Sequence, residues 1–186
     1  SSTVVEKIDT TQKNIITNNN KYKTINYSKL VIAAGGKPIL PEFILKHKDS
    51  NIKDKIFTFT DLQDYQRLSA VLPNIKTAVV VGAGFIGLEI ADALAKKNVN
   101  IKVIELAPRP LIKSADAFIS DIISEQFKKK NIEIICRDSV VEIKRINKNK
   151  IELSLQSGAV LETDIIIFAI GVRPNLDLIK DTEISV

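Results

Sequence analysis

The chain has 186 residues, 45% of them apolar and 26% charged, with 27 Lys plus Arg against 22 Asp plus Glu for a formal charge of +5. This balance suits one folded domain with attached pieces of another and excludes a disordered polyelectrolyte. The lysines are scattered and the aromatic residues sparse, so there is no basic stripe with stacking rings to suit a nucleic acid, and no apolar run reaches the roughly 18 residues that suggest a membrane helix.

The first 26 residues give short β-branched segments at 3–8, 14–17 and 21–26, separated by polar turns, which predicts a small antiparallel meander. LVIAAGG, residues 30–36, reads as a continuous apolar strand buried on both faces of a parallel sheet. Pro38 and Pro41 then stop regular structure, and a polar connector runs to about Lys55. Within it the single His47 stands between lysines with no partner for a triad. Residues 60–72 predict a helix capped by Thr60 or Asp61, with Leu62, Tyr65, Leu68 and Leu72 on its inner side.

The central unit opens on AVVVGAGFIGLEIADAL, residues 78–94. A buried strand at 77–81 leads into a helix at 85–97 with Ile86, Ile90, Ala93 and Leu94 on one face, then a second buried strand at 101–105. This is a β-α-β unit with a right-handed parallel crossover. A second helix is expected at 116–130, with Ile119, Ile122, Ile123 and Phe127 inward and Lys128, Lys129 and Lys130 as a solvated end that suits the helix dipole. A third strand, 132–136, ends on Cys136, the place of a small core residue rather than a nucleophile. As the sole cysteine it excludes an internal disulfide, a zinc cluster and a redox pair, and it points to a reducing, cytoplasmic setting. Segments 140–145, 150–155 and 159–162 alternate as strands around turns at NKN and QSG, and 165–170 is a last, fully apolar strand.

Gly82-Ala83-Gly84-Phe85-Ile86-Gly87 is a G-x-G-x-x-G placed where a strand gives way to a helix. The first glycine permits the tight turn, the second lets the backbone approach a pyrophosphate, and the third lets helix and strand pack closely. The helix start then offers unpaired N–H groups and the positive end of its dipole to the phosphates. Glu105 ends the second strand 18 residues after Gly87, where an acidic side chain accepts hydrogen bonds from the adenosine ribose. Read alone, Glu105 is better taken as a cap on an exposed strand end; with strand, glycines, helix and strand in register it marks a dinucleotide site. A 2′-phosphate at about 4 Å from its carboxylate would be repelled by up to roughly 4 kcal/mol at an effective dielectric near 20, less with Arg109 or Lys113 nearby. The sign favours NAD over NADP. On these residues alone FAD stays open, since the same motif binds its ADP half.

The flanks YSKLVIAAGGKPILP and TDIIIFAIGVRPNLDLI, with the glycine motif between them, resemble the motif order of the pyridine nucleotide-disulphide oxidoreductase superfamily. The resemblance is to its NADH-dependent flavoprotein branch: rubredoxin and ferredoxin reductases, NADH oxidases and the flavoprotein part of NADH nitrite reductase. It implies an α/β, Rossmann-type three-layer NAD-binding domain with a parallel sheet and a meander over residues 41–170. Residues 1–40 and 171–186 would be strips of an interrupted FAD domain. It further implies that Gly82, Gly84, Phe85, Ile86 and Gly87 hold NAD(H), that Glu89 lies toward the nicotinamide, and that Glu105 is the ribose ligand. Arg109 and Lys113 would stand near the adenosine, and Ala169 and Gly171 would line the opposite wall. Ala34 and Gly36 depart from the family's A-T-G-S, removing two hydroxyls from the flavin side. The parent's flavin would pass electrons to an acceptor, in some relatives a partner protein. The FAD glycine motif and the G-D motif are absent, and the Ser-Ser start and lack of methionine suit a piece of something longer. No residue qualifies as a catalytic acid, base or nucleophile, so the chemistry would belong to the cofactors. A stand-alone NADH-binding or sensing module is the alternative reading.

Overall fold

The computed structural model describes residues 3–46 and 50–185, so His47 lies outside the described residues. The chain divides into two compact units, one of Ser1–Lys37 with Arg173–Val186, the other Pro38–Val172.

In the smaller unit β1 (Val5–Asp9), β2 (Asn14–Thr17) and β3 (Thr24–Asn26) form the expected antiparallel meander in the order β1-β2-β3. A 3-10 turn, Asn20–Tyr22, replaces the start of the anticipated third strand, and the Asn19 side chain caps it by accepting from the Lys21 N–H. Residues 30–35 are not the expected buried strand. They lie in irregular backbone, unpaired to any strand among the described residues, and Val31 is 87% exposed. An apolar run becomes a buried strand only where neighbouring strands satisfy its N–H and C=O groups; among the described residues no strand ladders with this run, and Asn175 alone meets its Ala34 and Gly35 carbonyls. The chain then passes through β4 (Gly36–Pro38).

The larger unit begins with a one-turn helix, α1 (Glu42–Leu45), where only a polar connector was expected; it follows Pro41 and buries Ile44. A 3-10 segment, Ser50–Lys55, leads to β5 (Ile56–Phe57) and α2 (Leu62–Val71). Asp61 caps α2 by accepting from the Asp64 N–H. The inner side of α2 is the expected one only in part: Leu68 is buried and Leu72 packs on the core, but Leu62 is 68% exposed and Tyr65 is also exposed, and Asp64 is buried instead. Asp64 is tolerated there because it accepts from the Thr58 hydroxyl and from the Thr60 N–H and hydroxyl.

The core elements are β6 (Thr77–Val81), α3 (Phe85–Ala95), β7 (Asn100–Glu105), α4 (Ala117–Lys129), β8 (Glu133–Cys136), β9 (Val140–Arg145), β10 (Ile151–Leu155), β11 (Val160–Thr163) and β12 (Ile165–Phe168), and β13 (Val172–Pro174) comes after them. Strands β5-β12-β6-β7-β8 form one sheet whose every pairing is parallel, and β11-β10-β9 form an antiparallel sheet. Because side chains alternate along a strand, the parallel sheet feeds two cores. Ala78, Val80, Ile101, Val103, Ile165 and Ile167 meet Leu88, Ala91 and Leu94 of α3 and Leu68 of α2, with Ile123 and Phe127 of α4 alongside. On the opposite face Val79, Val81, Ile104, Ile166 and Phe168 meet Ile143, Ile151, Leu153 and Leu155 of the antiparallel sheet. Helices, parallel sheet and antiparallel sheet are thus three layers.

The buried helix faces are turned relative to the ones their sequences suggest. In α3 the buried residues are Gly87, Leu88, Ile90, Ala91 and Leu94, while Ile86 and Ala93 are exposed; in α4 Ile119 and Ile122 are exposed and Ser120 is buried. Each helix lies against one sheet, so only a stripe of it loses water. Lys130, expected to be merely solvated, pairs with Asp92 of α3.

At the end of the parallel sheet away from the glycine motif, the buried Asp164 accepts from the Lys76 and Thr77 N–H groups at 2.8 Å each, and Lys150 Nζ lies 3.5 Å away. Burial pushes its carboxyl up, but the two N–H bonds, Lys150 and the Thr77 hydroxyl outweigh it, and the carboxyl ends below its ordinary value. The folded state therefore holds the anion more tightly than the unfolded chain. The resulting stability is present above the unfolded value of about 3.9 and is lost as pH falls below it. Asp164→Ala should cost about 1–3 kcal/mol at pH 7. Thermal melts of both proteins should show that difference shrinking between pH 5 and pH 3, on the order of the unfolded carboxyl's titration range.

Candidate functional site

Strand β6 is followed in the chain by β7 and then β8 on one side, and its other neighbour is β12, reached after the antiparallel strands. The carboxyl ends of β6 and β12 therefore flank a topological switch point, the place where open α/β sheets leave a crevice. The glycine motif and residues 169–171 lie there.

The three glycines differ in kind. Gly82 has φ +105°, and a Cβ on it would stand 2.5 Å from the Ala169 carbonyl oxygen. A Cβ on Gly87 would stand 2.0 Å from the Gly82 carbonyl oxygen, so α3 can approach the end of β6 only with glycine there. Gly84 is under neither constraint: its φ of −77° is open to any residue, and a Cβ would meet nothing within 4 Å. Its missing side chain leaves empty space directly before α3. Gly84 is the N-cap of that helix and no side chain caps it, so the first-turn N–H groups of α3 are not taken up by a capping side chain. Phe85 and Ile86 are exposed beside the same space.

Glu105, at the end of β7, is half-buried, and both its carboxylate oxygens are engaged. Oε2 accepts from the Ala83 N–H at 2.6 Å and Oε1 from the Ala107 N–H at 2.8 Å. The loop after β7 also bonds to the glycine turn, since the Leu111 N–H donates to the Ala83 carbonyl at 3.0 Å. Arg109 is held inside that loop: its Nη1 donates to the Ala115 and Asp116 carbonyls and to Ser120 Oγ at 2.6 Å, and that hydroxyl donates in turn to the Pro110 carbonyl. Arg109 thus anchors the loop to the start of α4, a structural task that sequence reading did not assign it. Lys113 is exposed on the same loop, and Glu89 is exposed on the second turn of α3.

Ala169 donates its N–H to the Val81 carbonyl at 2.8 Å, which continues the pairing of β12 with β6 up to the glycine turn. Gly171, with φ +112°, is exposed and accepts from the Ile39 N–H. The structure therefore brings Gly82, Gly84, Gly87, Glu105 and Ala169 to one end of the parallel sheet. The backbone N–H groups of Ala83 and Ala107 and the buried Ser120 were not anticipated. Main-chain donors leave no signature in a sequence, whereas a serine within an apolar helix stripe could have been flagged. Cys136 is the register partner of Glu105 on β8 and is half-buried; burial and then the Glu105 charge push its thiol up, away from nucleophilic use. Among the described residues no acidic, His or Cys cluster could hold a metal, and no helix is long and apolar enough to cross a membrane.

A family model described as pyridine nucleotide-disulphide oxidoreductase matches residues 1–186. The chain is similar to an NADH oxidase of Methanocaldococcus jannaschii, 30% identical over 183 residues, covering 92% of this chain and 39% of the relative. It is also similar to a rubredoxin-NAD(+) reductase of Acinetobacter baylyi, 32% identical over 97% of this chain and 46% of the relative. Among solved structures it resembles the water-forming NADH oxidase of Lactobacillus brevis bound to NADH, with a TM-score of 0.83 and 27% identity over 96% of this chain and 39% of that one. The chain thus spans less than half the length of these relatives.

The contrast among the glycines yields a stability test. Gly82→Ala and Gly87→Ala should each lower the melting temperature by the equivalent of several kcal/mol, in the manner of severe overpacking at a strained site. Gly84→Ala should stay within about 0.5 kcal/mol of the parent. Calorimetric melts of the three variants compare them directly.

Proposed function

Because the chain belongs to the pyridine nucleotide-disulphide oxidoreductase family, we propose that it is the NAD(H)-binding part of an FAD-dependent NADH oxidoreductase. Residues 41–170 are the NAD(H) domain, and 1–40 and 171–186 belong to the flavin domain. The compact unit Pro38–Val172 supports these boundaries. The exposed apolar run at 30–36 and the buried Asn175 Oδ1, unpartnered among the described residues, suit a flavin domain that other chain segments complete.

The observation that carries the reading is Gly84: a glycine the fold does not require, opening space in front of a helix start at the switch point. A phosphate group fits there, since main-chain N–H groups and the helix dipole favour an anion and no Cβ intrudes. Gly82, Gly84, Phe85, Ile86 and Gly87 would hold the pyrophosphate of NAD(H), and Glu105, half-exposed at the end of β7, would accept from the adenosine ribose. Lys113, and Arg109 through the loop it anchors, would shape the adenosine side. Ala169 and Gly171 would form the opposite wall, with Glu89 toward the nicotinamide. When bound, the nicotinamide supplies a hydride to flavin; this chain's residues bind and orient it. In the whole protein the acceptor of those electrons would be of the oxygen, rubredoxin or nitrite kind. The lone cysteine suits a cytoplasmic setting.

Titration calorimetry should show NADH binding in the micromolar to millimolar range, and tighter than NADPH, whose phosphate meets the Glu105 charge. Equal or tighter NADPH binding would contradict the role given to Glu105. Gly84→Val should remove NADH binding while leaving the melt nearly unchanged.

A further inference from the structure

A loop built on glycines has the greatest backbone freedom of any, yet a phosphate cradle must hold one shape before its ligand arrives. The bonds around Ala83 show what holds this one. Ala83 is fully buried between Gly82 and Gly84. The Gly82 N–H donates to the Ile104 carbonyl at 2.8 Å, the Ala83 carbonyl accepts from the Leu111 N–H, and the Ala83 N–H goes to a side chain, Glu105 Oε2. That side chain is itself fixed by the Ala107 N–H on its other oxygen. One carboxylate therefore bridges two main-chain donors, one in the glycine turn and one in the loop after β7.

We propose that Glu105 is a positioning residue for the glycine turn: its carboxylate, clamped between the Ala83 and Ala107 N–H groups, holds the turn in its phosphate-receiving shape, independently of any contact with ribose. This rests on the reading of the turn as a phosphate site. Two donors on two oxygens require a carboxylate. A carboxamide offers one acceptor oxygen and sets an NH2 against the second N–H, leaving a buried donor unsatisfied. The clamp also resists rotation, because swinging the carboxylate aside to admit a 2′-phosphate breaks both bonds. Discrimination against NADPH would thus come from a fixed charge rather than a mobile one.

The test separates the clamp from the ribose contact by using ADP and 2′,3′-dideoxy-ADP, which keeps the pyrophosphate but has no ribose diol. Glu105→Gln should weaken binding of the dideoxy probe by about three- to tenfold, the equivalent of one internal hydrogen bond lost from the receptor, and that of ADP by more. Removing a negative charge near a pyrophosphate would by itself tighten the dideoxy probe, so unchanged or tighter binding overturns the proposal. In the nucleotide-free protein, amide hydrogen exchange at Ala83 and Ala107 should rise in the variant while Val80 and Val103 keep their protection. No rise at Ala83 also overturns it. Should Glu105→Gln fail to fold, Glu105→Asp, one methylene shorter, is put through the same measurements. If the parent chain binds neither ADP nor NADH, the nucleotide reading fails, while the exchange data still decide whether the clamp exists.

Discussion

The approach of α3 to the carboxyl end of β6 is the constraint on which the site depends. It is possible only because Gly87 presents no Cβ to the Gly82 carbonyl and Gly82 presents none to Ala169. These two absences let the helix start at the sheet edge and let β12 keep its register with β6 up to Ala169. A larger residue at Gly87 would push the helix outward and one at Gly82 would push against Ala169, and in either case the loop hydrogen bonds to Ile104, Glu105 and Leu111 would lose their geometry. Gly84 then adds space to a turn already fixed by its neighbours. The order of cause runs from packing to shape to binding.

That geometry is supported from both faces of one sheet. The strict alternation of Val79 and Val81 against Ala78 and Val80 divides β6 between two cores, and Ile165 to Phe168 do the same on β12. The strands that carry the site are therefore the most enclosed elements of the larger unit. The site itself lies at their ends, where loops supply donors and the glycine turn supplies room. A rigid scaffold with its chemistry at the rim suits a protein part that positions a cofactor and leaves the reaction to it.

Much of this was legible in the residues. The β6-α3-β7 unit, the meander and strands β9 to β12 follow from apolar period and turn residues, and the glycine motif and Glu105, picked out together by their spacing, meet at one end of the parallel sheet. What the sequence did not disclose has physical causes. The run at 30–36 is as apolar as β12, but burial depends on pairing partners that local sequence does not reveal. Leu62, Tyr65, Ile86, Ala93, Ile119 and Ile122 fit a helical period yet lie outside the stripe that meets the sheet, because periodicity fixes the spacing of a face and not its rotation. The work of Arg109 and the clamp on Glu105 depend on main-chain N–H and C=O groups, which are the same in every residue but proline.

The central claim is that the open space at Gly84 receives the nucleotide, although a concavity lined by Leu40, Ile44, Ile52, Ile56, Thr58 and Arg67 offers a competing place for a ligand within the same unit. Mapping NADH-induced amide shifts on the 15N-labelled chain decides between them. The account predicts that the largest shifts fall on residues 82–87 and 105–107, with residues 52–58 unmoved. Shifts centred on Ile52, Ile56 and Arg67, with Gly84 and Phe85 unchanged, would contradict it.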